Sequence, residues 1–542
     1  MYLQGLANFL DDTLGGVALL GFSFIVGGLL WRAVVLGPES GNAHLSLILH
    51  RNAWGVLIGA VVLAAATLLG LIVQGWLVAS ALGEFPLSAY SGTVQFKAGM
   101  LRFLLASALA VGARRLLRIP HRQFAWIVAI LLALPLIICG AWLVHAVGRF
   151  ENRGWLMTVT VIHQCSAGVW AGGLFQLLLL RSLGRRDAAA RAFWPTALSR
   201  FARMGIPAVL VLITTGMLLA SSYVGSWGGL VGTAYGSLIA VKTALLGGAL
   251  GFALLNHRAA RRSLRSEIEH KVPCYLETEF LLLAAVLFIA SSLSSQPPAA
   301  DIPELTASLS EVAGMFAPGL PRLVSPSHAE FLAGEAGRLA VVDYVPSWAS
   351  AAWSDYNHNV CGLLLTAMAF IALLSYHPRF PWARYWPLGF AGLGLFLFFR
   401  NDPQAWPLGP LGFWESTFGD GEIMQHRIAT LATFAMAAVE IRSRSGKGSV
   451  NLSYVFPALM AFGAIILFLH GHAGFEPKSE YLIRATHNSV GFLAVIMACG
   501  RWLELRLRQA GQITESRRAG LAGCLAMLGV GMILLFYREP MY

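Results

Sequence analysis

Six of the fourteen histidines fall after residue 355, at His358, His377, His426, His470, His472 and His487. A neutral imidazole can bind copper through a ring nitrogen, and it is also an axial ligand of haem iron. Met424 stands two residues before His426, and its thioether is a soft ligand suited to Cu(I). Glu415, Asp420 and Glu422 make the preceding segment acidic, which raises local cation concentration when such a segment faces an aqueous phase; the same residues could equally be a solvated loop. His470 and His472 are two apart and cannot share one helical face. Both can serve one metal only if a helix ends between them, as the run HGHAG permits. Asn359, Gln425 and Asn488 each adjoin one of these histidines and are available to orient the rings. Two histidines opposed across a flat slot would suit haem b; three or four around a point would suit copper.

Earlier in the chain the candidates are sparser. His163 lies in VIHQCSAGVWAGGLFQLLLL, and His145 closes the apolar run before it. Either is a possible metal ligand or a satisfied packing residue. Lys242 sits well inside an apolar run, where a charge costs on the order of 2.5–3.5 kcal/mol to insert. Such a residue marks a path or partner within a bundle, or else pairs with a carbonyl or reaches a headgroup. Trp170 could line the same path, although its neighbours Gly172 and Gly173 speak for close helix packing. Glu277 and Glu279 read as solvated residues at the start of a span.

The elements that must position these residues are membrane helices. Hydrophobic residues make up 57% of the chain and charged residues 12%, against about 25% charged in soluble domains. Many apolar runs reach the roughly 18 residues needed to cross a bilayer as a helix. Fourteen spans are expected, near 15–31, 54–80, 95–113, 123–146, 155–180, 204–222, 232–255 and 277–295, then 357–376, 385–399, 425–441, 452–470, 482–500 and 519–537. The fold class is therefore all-α and polytopic, an eight-span domain (1–298) and a six-span domain (356–542) joined by a linker or small cap (299–355). The first residues lack a basic n-region, so the first run is expected to stay as a helix rather than act as a cleaved signal. Six scattered cysteines, without a CxxC pair, indicate no disulfide framework.

Charge distribution orients the helices. With the N-terminus outside, the seven inner loops hold 27 Lys and Arg and the outward segments seven, the bias that the positive-inside rule demands. Both termini and the 299–355 segment are then periplasmic. His358, His426, His470, His472 and His487 come to the outer face, and His377 to the inner. The net charge of +12 thus reflects topology, and no nucleic-acid partner is implied; the lipid bilayer is.

The first half resembles the copper-resistance D (CopD) family of bacterial inner-membrane proteins. The likeness rests on the His163–Gly173 run, on FARMGIPAVLVLITTGMLLA and GTAYGSLIAVKTALLGGALGFALLNHR, and on ETEFLLLAAVLFIASSLSSQPP, in that order. It implies an inner-membrane protein that takes up copper, with a small periplasmic copper-binding protein as a partner in trans. The second half is read from its residues alone. Copper uptake past His163, fed by an outer-face site in each half, is the leading expectation. A redox protein holding haem b or catalytic copper at the outer histidines, and a copper-delivery subunit for another enzyme, are the alternatives.

Overall fold

The computed structural model describes residues 2–37, 45–149, 151–262, 269–335, 345–471 and 476–541. Among them there is no β-strand, only an isolated bridge between Ala405 and Leu411. Among the described residues, fourteen helices of 13 residues or more overlap the expected spans in order. They are α1 (Tyr2–Val34), α2 (Ser46–Leu82), α3 (Val94–Arg118), α4 (Gln123–Gly140), α5 (Arg153–Gly184), α6 (Ala188–Tyr223), α7 (Ala234–Arg262), α8 (Val272–Leu293), α9 (Trp348–Leu374), α10 (Leu388–Arg400), α11 (Gly421–Arg444), α12 (Val455–Leu469), α13 (Pro477–Gln509) and α14 (Ile513–Leu535).

Eleven helices among the described residues are long and apolar enough to cross a membrane. The others depart from that standard for separate reasons. With 13 residues, α10 reaches about 20 Å at 1.5 Å per residue, short of a 30 Å hydrocarbon core. α11 and α13 have 24 and 33 residues but carry many charged side chains. Two ends differ from expectation in ways that matter below. The eighth span begins at Val272 rather than near 277, and the fourth helix stops at Gly140, so His145 belongs to a following 3-10 turn, His145–Gly148.

The chain divides into two compact units. One comprises Leu10–Gly225 and Leu246–Ser295; the other comprises Met1–Phe9, Ser226–Leu245 and Gln296–Tyr542. In the first, α2 packs on α3, α3 on α4, and α5 on α6 and α8. Its apolar core includes Ile25, Val56, Leu63, Leu109 and Leu136. Small residues let α1 and α5 approach backbone to backbone, because Gly172 lies where any Cβ would collide with the Ser23 carbonyl oxygen.

In the second unit α13 packs between α12 and α14, α14 against α9, and α11 against both α10 and α12. The helices start where sequence supplies caps: Ser347 accepts from the Ser350 N–H at α9, Asp420 from Glu422 at α11, and Glu476 from Ser479 at α13. The 299–355 segment contributes short helices at Leu309–Gly314 and His328–Glu335. The first is closed by a capping box between Ser308 and Glu311 and tied to α13 by a 2.6 Å ion pair from Lys478 to Glu311.

Candidate metal centre

Four histidines of the second unit form a row, His358–His487–His470–His426. Neighbouring ring centres are 5.5, 5.3 and 5.5 Å apart in that order. Each comes from a different segment. His358 lies in the third turn of α9, His426 in the second of α11 and His487 in the third of α13. His470 is the first residue beyond α12, with extended backbone at φ −74° and ψ 134°. The helix thus ends before HGHAG rather than inside it; His472 lies outside the described residues.

Every ring is held through Nδ1. His426 donates to Asp402 at 2.7 Å, His470 to the Gln425 amide oxygen at 3.0 Å, His487 to the Ile483 carbonyl at 2.9 Å and His358 to the Ser354 carbonyl at 2.9 Å. A neutral imidazole that donates from Nδ1 carries its lone pair on Nε2, so these contacts select the same tautomer four times and aim the rings. Two imidazoles sharing a tetrahedral centre at about 2.0–2.1 Å per bond place their ring centres about 5 Å apart. Each neighbouring pair in the row is near that spacing. Among the described residues, however, no group of three or more His, Cys, Asp or Glu side chains already stands at ligating geometry. His470 and His487 lie nearly parallel at 25°, so joint ligation requires ring rotation.

The row borders a cavity of about 360 Å³ whose wall also carries Cys361 and the thioethers of Met436, Met460, Met497 and Met527. These four methionines come from α11, α12, α13 and α14, and all are buried. Sequence reasoning missed them because a methionine on an apolar helix face is usually core. Met424, the thioether expected at the site, is not in that wall. Asp402 and Glu539 were missed too. Asp402 reaches His426 from the segment after α10. Glu539 returns from the C-terminal tail, accepting from Ser354 at 2.6 Å and from Tyr537 at 2.8 Å, while the Tyr537 ring lies 4.0 Å from that of His358. No sequence signal pointed to either.

The acidic residues chosen from sequence separate. Glu422 lines the cavity, Asp420 caps α11, and Glu415 is exposed. Of the three amides expected to orient rings, only Gln425 does so. Asn359 instead accepts from the Arg322 N–H and donates to the Leu534 and Tyr537 carbonyls, and Asn488 donates to Ser237. His377 lies apart, beyond the far end of α9.

In the first unit His163 donates from Nδ1 to Thr215 at 3.0 Å, and Thr215 passes its own proton to the Val211 carbonyl. The His145 side chain is outside the described residues. Trp170 is 2% exposed and donates from Nε1 to Glu279 at 2.7 Å; Asn256 donates to the second oxygen of Glu279 at 2.8 Å. Glu279 is therefore no solvated cap residue. Because α8 starts at Val272, Glu279 lies two turns inside the helix and is buried. Lys242 is partly buried on α7, in the stretch that belongs to the second unit, and does not line the histidine cavity.

Fold and site thus define an all-α polytopic membrane protein with a histidine-lined cavity. Residues 195–293 match the family model described as Copper resistance protein D. The chain is also 29% identical over 180 residues to "Copper transport protein CutJ" of Bacillus subtilis (strain 168). That alignment covers 33% of this chain and 32% of the relative, so the chain spans about a third of the relative it matches. No solved structure matches.

Proposed function

We propose that this protein binds copper at the histidine row and moves it inward across the bacterial inner membrane. The observation that carries the reading is the row itself, four tautomer-matched imidazoles from four segments at pairwise spacings near those of shared ligation. The copper-resistance segment at 195–293 supports copper as the cargo. The 27-to-seven asymmetry of Lys and Arg supports an outward-facing row, and so capture from the periplasm. Joint ligation by neighbouring rings needs rotation about χ2, and the next ring in the row would offer a site of exchange. The four buried thioethers favour Cu(I), the softer oxidation state. In the first unit His163 is a candidate second station, held by Thr215.

Copper fits the row better than haem. Neighbouring ring centres stand only 5.3–5.5 Å apart, one outer pair edge-on, the other tilted and the central pair stacked, which leaves no slot for a macrocycle between neighbours. Metal analysis and an optical spectrum of the purified protein test the reading together. One or more copper ions per chain, no Soret band, and loss of that copper in His470→Ala/His487→Ala are expected. A Soret band, or copper retained in full by the double variant, would overturn it.

A further inference from the structure

At the end of the six-helix unit opposite the histidines, helix ends enclose a second cavity, of about 550 Å³. Its wall holds five guanidinium groups, Arg384, Arg444, Arg501, Arg508 and Arg517, together with Tyr376. The opposition of the two ends follows from the helices themselves. Arg444 closes α11, which His426 opens, and Arg501 lies four turns beyond His487 on α13.

Two carboxylates organise part of this cluster. Glu440, with no exposed surface, takes Arg444 Nε at 2.6 Å and Arg501 at 2.9 Å, and Glu504 takes Arg501 at 2.7 Å. Five guanidiniums against two carboxylates leave three positive charges in excess. Arg384, Arg508 and Arg517 have no carboxylate partner among the described residues. Arg384 donates to the Tyr385 phenol and Arg517 to the Tyr376 carbonyl, both neutral acceptors. Arg501 Nε, although buried, has no hydrogen-bond acceptor. Confined positive charge with unused forked donors is the chemistry that recognises phosphate oxygens.

We propose that this cavity binds a phosphate group, supplied either by an anionic phospholipid headgroup or by free phosphate. A basic pocket among helix ends at a membrane face is suited to a headgroup, and the Glu440–Arg501–Glu504 pairs hold the floor in shape for it. The exposed Arg508 and Arg517 close on the anion, whereas the buried pairs set the pocket's form. Nothing here depends on copper, so the proposal stands or falls separately from the transport reading.

The test uses the full chain purified in detergent. Native mass spectrometry measures retention of dioleoylphosphatidylglycerol against dioleoylphosphatidylcholine, and a thermal-shift titration at constant ionic strength measures inorganic phosphate against chloride. For a headgroup, at least tenfold preferential retention of the anionic lipid is expected, abolished in Arg508→Gln/Arg517→Gln. For free phosphate, a saturable rise in Tm is expected that the same variant loses. If that variant fails to fold, Arg384→Gln, at an exposed position, gives the same readout. Equal retention of both lipids with no phosphate-specific shift would overturn the proposal, as would effects that persist unchanged in the folded variant.

Discussion

The Nδ1 nitrogen of His426 donates to Asp402 across 2.7 Å, joining the second turn of α11 to the segment that follows α10. Twenty-four residues separate them, and the carboxylate does for this imidazole what backbone carbonyls do for His358 and His487. It sets the tautomer and raises the basicity of Nε2. Replacing Asp402 by Asn should weaken copper binding about 10- to 100-fold without unfolding the protein. Competition against a chromophoric Cu(I) chelator measures it. Unchanged affinity would remove Asp402 from the site.

The buried triad in the first unit should be structural in a measurable way. Glu279→Ala strands the Trp170 indole N–H and the Asn256 amide, at a cost of about 1–3 kcal/mol for each unpaired group. Glu279→Gln keeps one accepting oxygen and should be milder. Unfolding of the purified variants in mixed micelles would rank them, and equal stability of Ala and wild type would show that water or rearrangement satisfies both donors.

Close approach of α1 and α5 predicts a sharp contrast between glycines. Gly172→Ala forces a Cβ against the Ser23 carbonyl and should lower stability severely. Gly112→Ala, on α3 with open space at its Cβ position, should be neutral or slightly stabilising. Comparable melting temperatures for the two variants would contradict the packing.

The Glu311–Lys478 pair gives a pH dependence. The hydrogen bond from Lys478, with the Ser308 N–H, holds the Glu311 carboxyl at about 2, below its ordinary 4.5. A depressed carboxyl contributes stability above its unfolded pKa and loses it as pH falls through the folded one. The stability difference between wild type and Lys478→Met should therefore be present at pH 6 and shrink from about pH 4.5 towards 2. A difference constant over that window would mean the carboxylate charge contributes nothing. Partial exposure of the pair keeps the effect small.

Topology is testable at Ser310, an exposed position in the segment between the halves. A thiol introduced by Ser310→Cys should react rapidly with an impermeant reagent in cells whose inner membrane is intact. Reaction only after that membrane is permeabilised would reverse the orientation of the histidine row.

Hydrophobic run length and composition alone determined the helical class and the order of the fourteen helices, because a backbone in lipid has to satisfy its hydrogen bonds locally. The histidines too were legible as a group, since imidazoles near the ends of apolar runs share a level even before the helices are assembled. What joined them into a row was lateral packing, α12 against α13 and α11 against α12, which no periodicity within a single helix encodes. Asp402 and Glu539 arrive from non-helical segments, and the cavity's four methionines each look like core when read along their own helices. Glu279 shows the same limit in reverse. A helix start five residues earlier than expected carried it from an apparent solvated cap to a buried partner of Trp170. Local sequence fixes which segments become helices, whereas the distances that give a side chain its chemistry arise between segments and are decided only when their faces pack.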